Sequence, residues 1–315
     1  MEQDINILTR HFPVVDTMIY GKKNRKSILL SILARSYDLV YVWFVYQYVS
    51  NVVLACKAVG VPCVLVPSGV DLANNPEIGY GLMRFRAARI RAKISLQLCN
   101  LALPVSEFMQ HLVLQQARPR AIQVICNGID TELFKPSGQK QDLILTVARI
   151  FEGNFLYKRL DVFIQAAGFL PDYRFVLVGE HVDGTIDRLR AMATQNVEFT
   201  GYIGRHALIE LYQKARVYVQ LSHAEAFGCA LAEAMSCGCV PVAVRRGALP
   251  EVVGDTGYYA PYADPYRTAQ AISIALNGDG SSARERIKQM FSVEKRELQL
   301  IKALNLTYAP LSGGV

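Results

Sequence analysis

The sequence predicts an α/β protein of two Rossmann-like lobes, each built on a parallel sheet covered by helices. Three observations carry this. The C-terminal half alternates apolar, β-prone runs with helical stretches, which is the pattern of a parallel sheet. A chain of 315 residues can form two domains of ordinary size, each burying a core. With 51% apolar and 19% charged residues, the composition is globular and not disordered.

The first lobe alternates less cleanly than the second. The apolar runs 5–8 and 13–19 are separated by too little chain for a helical crossover, because a parallel connection takes about a dozen residues or more. This lobe therefore begins irregularly or is trimmed. Strand-like runs follow at 38–43, 61–67, 101–105 and 121–125, with helical stretches at 47–59, 79–99 and 106–117. The boundary is expected near residues 115–119. Beyond it, strand-like runs at 143–148, 174–179, 196–199, 217–221 and 240–244 alternate with helical stretches near 159–170, 184–194, 206–215, 229–237 and 265–277. A last helix is expected at 292–306, and Gly313-Gly314 is expected to fray. No low-complexity linker or internal repeat interrupts this order.

Residues 225–233, Glu-Ala-Phe-Gly-Cys-Ala-Leu-Ala-Glu, are the most informative stretch. An apolar run, Val217-Tyr218-Val219-Gln220-Leu221, precedes them, and a small-residue helix follows until Gly238 can cap it. The order is strand, acidic loop, helix. A helix start has amides without intrahelical partners at the positive end of the dipole, so it suits phosphate. Glu225 precedes those amides and Glu233 lies in the second turn. Carboxylates grip sugar hydroxyls while amides grip phosphate. Either acid alone would read as an ordinary acid near a helix start.

The longer pattern says more. Glu225-x-Phe227-Gly228-x4-Glu233-Ala234-Met235-x2-Gly238-x2-Pro241-Val242, then Gly247-x2-Pro250-Glu251 and Gly254-Asp255-x-Gly257, closely resembles glycosyltransferase family four (glycosyltransferases group 1). Val124-x2-Asn127-Gly128-Ile129-Asp130-x3-Phe134-x-Pro136 resembles that family's entry into its second domain. Thr146-Val147-Ala148-Arg149-Ile150 with Lys158-Arg159-Leu160-Asp161 resembles its phosphate-binding pair. The likeness is good over residues 101–290 and loose over 38–71.

The resemblance implies the GT-B fold, with two lobes facing a cleft. It divides the chain into an acceptor-side lobe (1–118), a nucleotide-sugar lobe (119–290) and a C-terminal helix returning to the first lobe (291–315). It implies a retaining, metal-independent transfer of a hexose from a nucleoside diphosphate sugar to a hydroxyl acceptor, lipid-linked or saccharide. Glu225 would hold and polarise the donor sugar, Glu233 would accept from the ribose hydroxyls, and Arg149 and Lys158 would bind the diphosphate. The amides of Phe227, Gly228 and Cys229 would support sugar and phosphate. Gly179 would give close approach to the donor, and Tyr202 would pack on the base. No cofactor and no metal is implied, since Arg149, Lys158 and the helix amides supply the positive charge. The five histidines show no close metal-ligand spacing.

The sequence also departs from the family. No glycine-rich loop precedes residue 38, and the segment Val66-Pro67-Ser68-Gly69 lacks the His common there. Ser68 and Gly69 are the acceptor-side candidates. The alternative function is therefore a donor-binding GT-B protein that is catalytically weak or regulatory.

The formal charge of +7 is concentrated in Lys22, Lys23, Arg25, Lys26 and in Arg84, Arg86, Arg89, Arg91, Lys93. Such a surplus favours an anionic partner. Nucleic acid is not expected, because no readout motif accompanies the charge. An anionic membrane surface is. At helical spacing Arg84, Arg91 and Lys93 share a broad face flanked by Arg86 and Arg89, with Leu82, Phe85, Ile90 and Ile94 for apolar contact. The chain shows no signal peptide and no apolar run of about 18 residues. Seven cysteines without a disulfide spacing read as reduced, buried thiols. The expected location is cytoplasmic, peripheral at the membrane.

Overall fold

The structure is a computed structural model and describes residues 1–21, 23–46 and 48–308. The chain divides into two compact units. The first comprises Met1–Gly128 with Glu294–Val315, and the second Ile129–Val293.

In the first unit, α1 (Glu2–His11), α2 (Arg25–Leu33), β1 (Val40–Trp43), α3 (Val49–Val59), β2 (Cys63–Val66), α4 (Arg86–Leu98), β3 (Leu101–Ala102) and α5 (Glu107–Gln116) follow one another. The three strands form a parallel sheet in the order β1-β2-β3. β2 is buried along its whole length, as an apolar run covered on both faces must be. Helices α2, α3 and α4 pack side by side.

The first unit departs from the sequence pattern at several places. Residues 5–8 lie in α1, with Ile7 and Leu8 buried. Residues 121–125 form no strand; Ile122 makes a single bridge to Ala102. The carbonyls of Ile125 and Cys126 accept instead from the Arg296 guanidinium, at 2.9 and 2.8 Å. Those contacts hold the segment in the first unit, so the division falls at Gly128 and not near residue 118. The stretch 79–99 is broken. Leu82–Arg84 is a 3₁₀ turn, Phe85 is extended, and α4 begins only at Arg86. Arg84 and Leu82 therefore do not share the helical face of Arg91. Gly313-Gly314, Lys22 and Gln47 lie outside the described residues.

In the second unit, β4 (Gln141–Val147), α6 (Glu152–Tyr157), α7 (Leu160–Ala167), β5 (Arg174–Val178), α8 (Thr185–Met192), β6 (Val197–Gly201), α9 (Arg205–Lys214), β7 (Ala215–Gln220), α10 (Cys229–Ser236), β8 (Val240–Val244), α11 (Leu249–Val253), β9 (Tyr258–Ala260), α12 (Pro265–Ala275) and α13 (Ser281–Phe291) alternate. All strand pairs are parallel, in the order β6-β5-β4-β7-β8-β9. The chain steps from β4 outward to β6, then returns to lay β7 against β4 and steps outward on the other side. The β4–β7 boundary is the topological switch point, outside whose carboxyl ends ligands bind in such sheets.

The last helix, α14 (Val293–Tyr308), is assigned to the first unit from Glu294 onward. Its Arg296 lies against Asp4 of α1 at 2.6 and 2.8 Å, with both side chains 2% exposed. A buried pair of this kind makes the two ends of the chain one element of structure. Loss of one partner leaves an uncompensated charge.

Candidate functional site

The switch point assembles most of the expected donor-side residues. Arg149 follows β4, Gly179 follows β5, Tyr202 follows β6 and Glu225 follows β7. All lie at the carboxyl edge of one sheet.

Glu225 sits at the centre of a hydrogen-bonded cluster. Its Oε1 meets Lys158 Nζ at 2.5 Å, and it accepts from Ser222 Oγ at 2.7 Å and Gln220 Nε2 at 3.0 Å. Gln220 Nε2 also donates to Ser222 Oγ at 2.6 Å. Gln220 and Ser222 are buried at the end of β7. Lys158 is placed by the turn between α6 and α7; the His223 amide donates to the carbonyl of its neighbour Tyr157 at 2.7 Å. The half-buried ammonium and carboxylate thus hold each other in place within a low-dielectric rim, where charged hydrogen bonds are strong.

Phe227 turns its ring inward, edge-on to Phe291 at 5.4 Å, so its backbone and not its side chain faces the loop. Gly228 takes φ 97°, left-handed backbone that favours glycine, and begins α10. Cys229 is the first, exposed residue of that helix. Glu233, in its second turn, accepts from the Tyr212 hydroxyl at 3.3 Å. Burial pushes its carboxyl up to about 7, against the pull of Tyr212 and Arg205. A glutamate poised there can accept two ligand hydroxyls once ionised.

Gly179 is fixed by close approach. A Cβ there would lie 1.8 Å from the carbonyl oxygen of Ala148. The β4 and β5 loops continue in contact beyond it, with the Ile150 amide donating to Glu180 O at 2.8 Å. Arg149 does not point at Glu225. Its guanidinium pairs with Glu180 at 3.0 Å and is 62% exposed. Such an exposed pair is worth little and is readily exchanged for a phosphate. Tyr202 is 80% exposed, open for stacking.

Ser68 and Gly69 lie in the first unit, after β2. Ser68 Oγ donates to Val66 O at 3.0 Å, and the Gly69 amide donates to Asp71 at 2.7 Å. Asp71, fully buried, also accepts from the Val45 amide at 2.8 Å. It ties the loops after β1 and β2 together.

Gln220, Ser222, Glu180 and Asp71 lie outside the set of site residues that the sequence predicts. Gln220 carried a signal, being a polar residue in an otherwise apolar strand next to the acidic loop. Asp71 carried one too, two residues after a glycine that follows a strand. Among the described residues no three His, Cys, Asp or Glu side chains form a metal-ligand set. No described helix is long and apolar enough to cross a membrane.

Solved structures share this architecture. Anabaena HepE, solved with UDP and glucose, superposes with a TM-score of 0.75 at 21% identity over 95% of this chain and 88% of that one. Sucrose-phosphate synthase from Thermosynechococcus elongatus gives 0.74 at 18% identity over 93% and 81%. The fold is the α/β GT-B fold of glycosyltransferases. The family model for glycosyl transferases group 1 matches residues 130–290, and the chain belongs to that family. Curated relatives include the phosphatidylinositol N-acetylglucosaminyltransferase gpi3 subunit of Schizosaccharomyces pombe, 26% identical over 55% of this chain and 41% of that protein. D-inositol 3-phosphate glycosyltransferase of Acidothermus cellulolyticus is 29% identical over 55% and 44%. The match spans less than half the length of these relatives.

Proposed function

We propose that this protein transfers a hexose from a nucleoside diphosphate sugar to a hydroxyl acceptor, with retention at the anomeric carbon and without a metal ion. The observation that carries the reading is the Lys158–Glu225 cluster beside the start of α10, at the switch point of the second sheet. Glu225 receives the sugar hydroxyls, and Glu233 the ribose. Lys158, Arg149 and the amides of Gly228 and Cys229 take up the charge that develops on the departing diphosphate. Tyr202 packs on the base. HepE has been solved with UDP-glucose, which supports a donor of that type. Both curated relatives are named for inositol-containing molecules, which supports a polyol or lipid-linked hydroxyl as acceptor.

Thermal shifts with UDP-, GDP- and ADP-sugars identify the donor, because a bound ligand stabilises by mass action. Glu225→Gln should lower turnover more than affinity, and Glu233→Gln should chiefly weaken donor binding. Small, equal effects from both would overturn the roles. Donor hydrolysis without acceptor separates this reading from a donor-binding, inactive one, which should show none.

The first unit supports a membrane-surface acceptor. Helices α2, α3 and α4 carry Arg25, Lys26, Lys57, Arg86, Arg89, Arg91 and Lys93 and not one Asp or Glu. Leu30, Leu54 and Ile90 are exposed on the same three helices. An anionic bilayer complements basic helices with exposed apolar side chains, each cation contributing on the order of 1 kcal/mol at low salt. Co-sedimentation should rise with phosphatidylserine content and fall on Ala replacement of Arg86 and Arg89. Binding indifferent to both would leave a soluble acceptor.

A further inference from the structure

A second cluster of cations borders the Glu225 loop, and nothing in the transfer described above uses it. Arg245 and Arg246 follow β8 directly, and Tyr259 and Tyr262 lie in and just after β9. Together with Ala260 and Pro261 they line an open pocket of about 390 Å³ at the carboxyl edge of the sheet. The Arg245 guanidinium lies 3.8 Å over the Tyr259 ring, and that of Arg246 lies 4.3 Å over Tyr262. Neither arginine pairs with a carboxylate among the described residues.

Arg246 is held in place from behind. Its Nε donates to His223 O at 2.7 Å and its Nη2 meets His223 Nε2 at 3.2 Å, while Tyr262 Oη meets His223 Nδ1 at 3.0 Å. Arg159 approaches the same Tyr262 ring at 5.5 Å and spends its charge on Asp161 at 2.8 Å. Two oriented guanidinium planes without an acid between them favour an oxyanion, which Arg245 can meet through forked hydrogen bonds and Arg246 through its Nη1. The loop that carries them is fixed to the sugar-binding loop. A Cβ on Gly247 would fall 2.4 Å from the Glu225 amide nitrogen, and the Ala248 amide donates to Glu225 O at 2.9 Å. An anion in the pocket therefore lies next to the segment that presents Glu225.

We propose that Arg245 and Arg246 form an oxyanion site, separate from the diphosphate site, which reads a phosphate or carboxylate group on a substrate. The substrate origin of that anion rests on the transfer proposed above; the site itself does not. Its two sources are a phosphate ester and a uronate-type carboxylate.

Calorimetric titrations of the full chain with inorganic phosphate, glucose 6-phosphate and glucuronate test the site. The variants are Arg245→Gln, Arg245→Lys and Lys158→Ala. Arg245 is exposed, and its guanidinium lies over the Tyr259 ring with no ion pair or hydrogen bond among the described residues, so Arg245→Gln keeps the fold, and an unchanged melting temperature verifies that. Anion affinity should fall about tenfold in Arg245→Gln, less in Arg245→Lys, and survive in Lys158→Ala. Nucleoside diphosphate affinity should show the opposite dependence. The tighter of glucose 6-phosphate and glucuronate identifies the source. Anion binding that is absent, that ignores Arg245→Gln, or that disappears with Lys158→Ala overturns the site. Anion binding at the arginines with no nucleoside diphosphate binding anywhere upholds the site and overturns the transfer reaction instead.

Discussion

The two units solve the same problem with different resources. The second spreads six parallel strands across its width, and the order in which its strands are added reverses between β4 and β7, where Arg149 and Glu225 emerge. The first has three short strands, and its ends are joined by one buried ion pair, Asp4–Arg296. A long sheet distributes stability over many apolar side chains. A short one concentrates more of it in a few polar contacts, which makes the first unit the easier to break by a single change.

Arg296→Ala sharpens that contrast most. It strips the partner from three groups, the buried Asp4 carboxylate and the Ile125 and Cys126 carbonyls. The expected cost is roughly 3–5 kcal/mol. Hydrogen exchange should show protection lost in the first unit while the second keeps its own. If both units lose protection together, they do not differ in this way.

The corresponding weak point of the second unit is backbone, not charge. Gly179→Ala forces a methyl into the Ala148 carbonyl. Neither strand can retreat without breaking its ladder, so a loss of about 3 kcal/mol is expected, read from urea midpoints.

Glu233 gives the second unit a pH signature. Its folded value of about 7 exceeds the ordinary 4.5. Between those values the folded chain holds a proton that the unfolded chain has released. The associated stability is full below the lower value and lost as pH rises through the upper one. Glu233→Gln should therefore stabilise by on the order of 2–3 kcal/mol at pH 8 and by almost nothing at pH 4. A stability difference that is flat with pH would show that burial does not raise the Glu233 carboxyl above its ordinary value.

The two diphosphate cations should differ by their surroundings. Lys158, with its side chain 21% exposed, should be worth roughly 1.5–3 kcal/mol of nucleoside diphosphate affinity. Arg149, exposed and already paired with Glu180, should be worth about 1 kcal/mol or less. The smallest effect belongs to the first unit. Arg86→Ala with Arg89→Ala should shift stability by under about 0.5 kcal/mol, while changing any affinity for anionic vesicles.

The legible part of the fold was the part with regular periodicity. Five strands of the second unit and the helices between them follow from runs such as 174–179 and 240–244, because a buried parallel strand needs a continuous apolar run. The acidic loop and helix start at 225–233 were legible for the same reason, since chain order alone places them after β7. Short elements escaped. α6, α11 and β9 are too brief for a period to register, and 121–125 looks like a strand although its carbonyls are claimed by Arg296.

What the sequence determined by itself is therefore local. It specified which segments bury apolar surface, which turns need glycine, and which residue types stand at the strand ends. Tertiary structure decided partnerships. That Lys158 pairs with Glu225 while Arg149 pairs with Glu180 depends on strands far apart in the chain becoming neighbours. Burial alone lifts Glu233 to about 7, and Arg296 takes the backbone acceptors of residues 125 and 126 only because α14 packs there. Hydrogen bonds and pKa values answer to distance and desolvation in three dimensions, and neither is encoded in the local pattern of a chain.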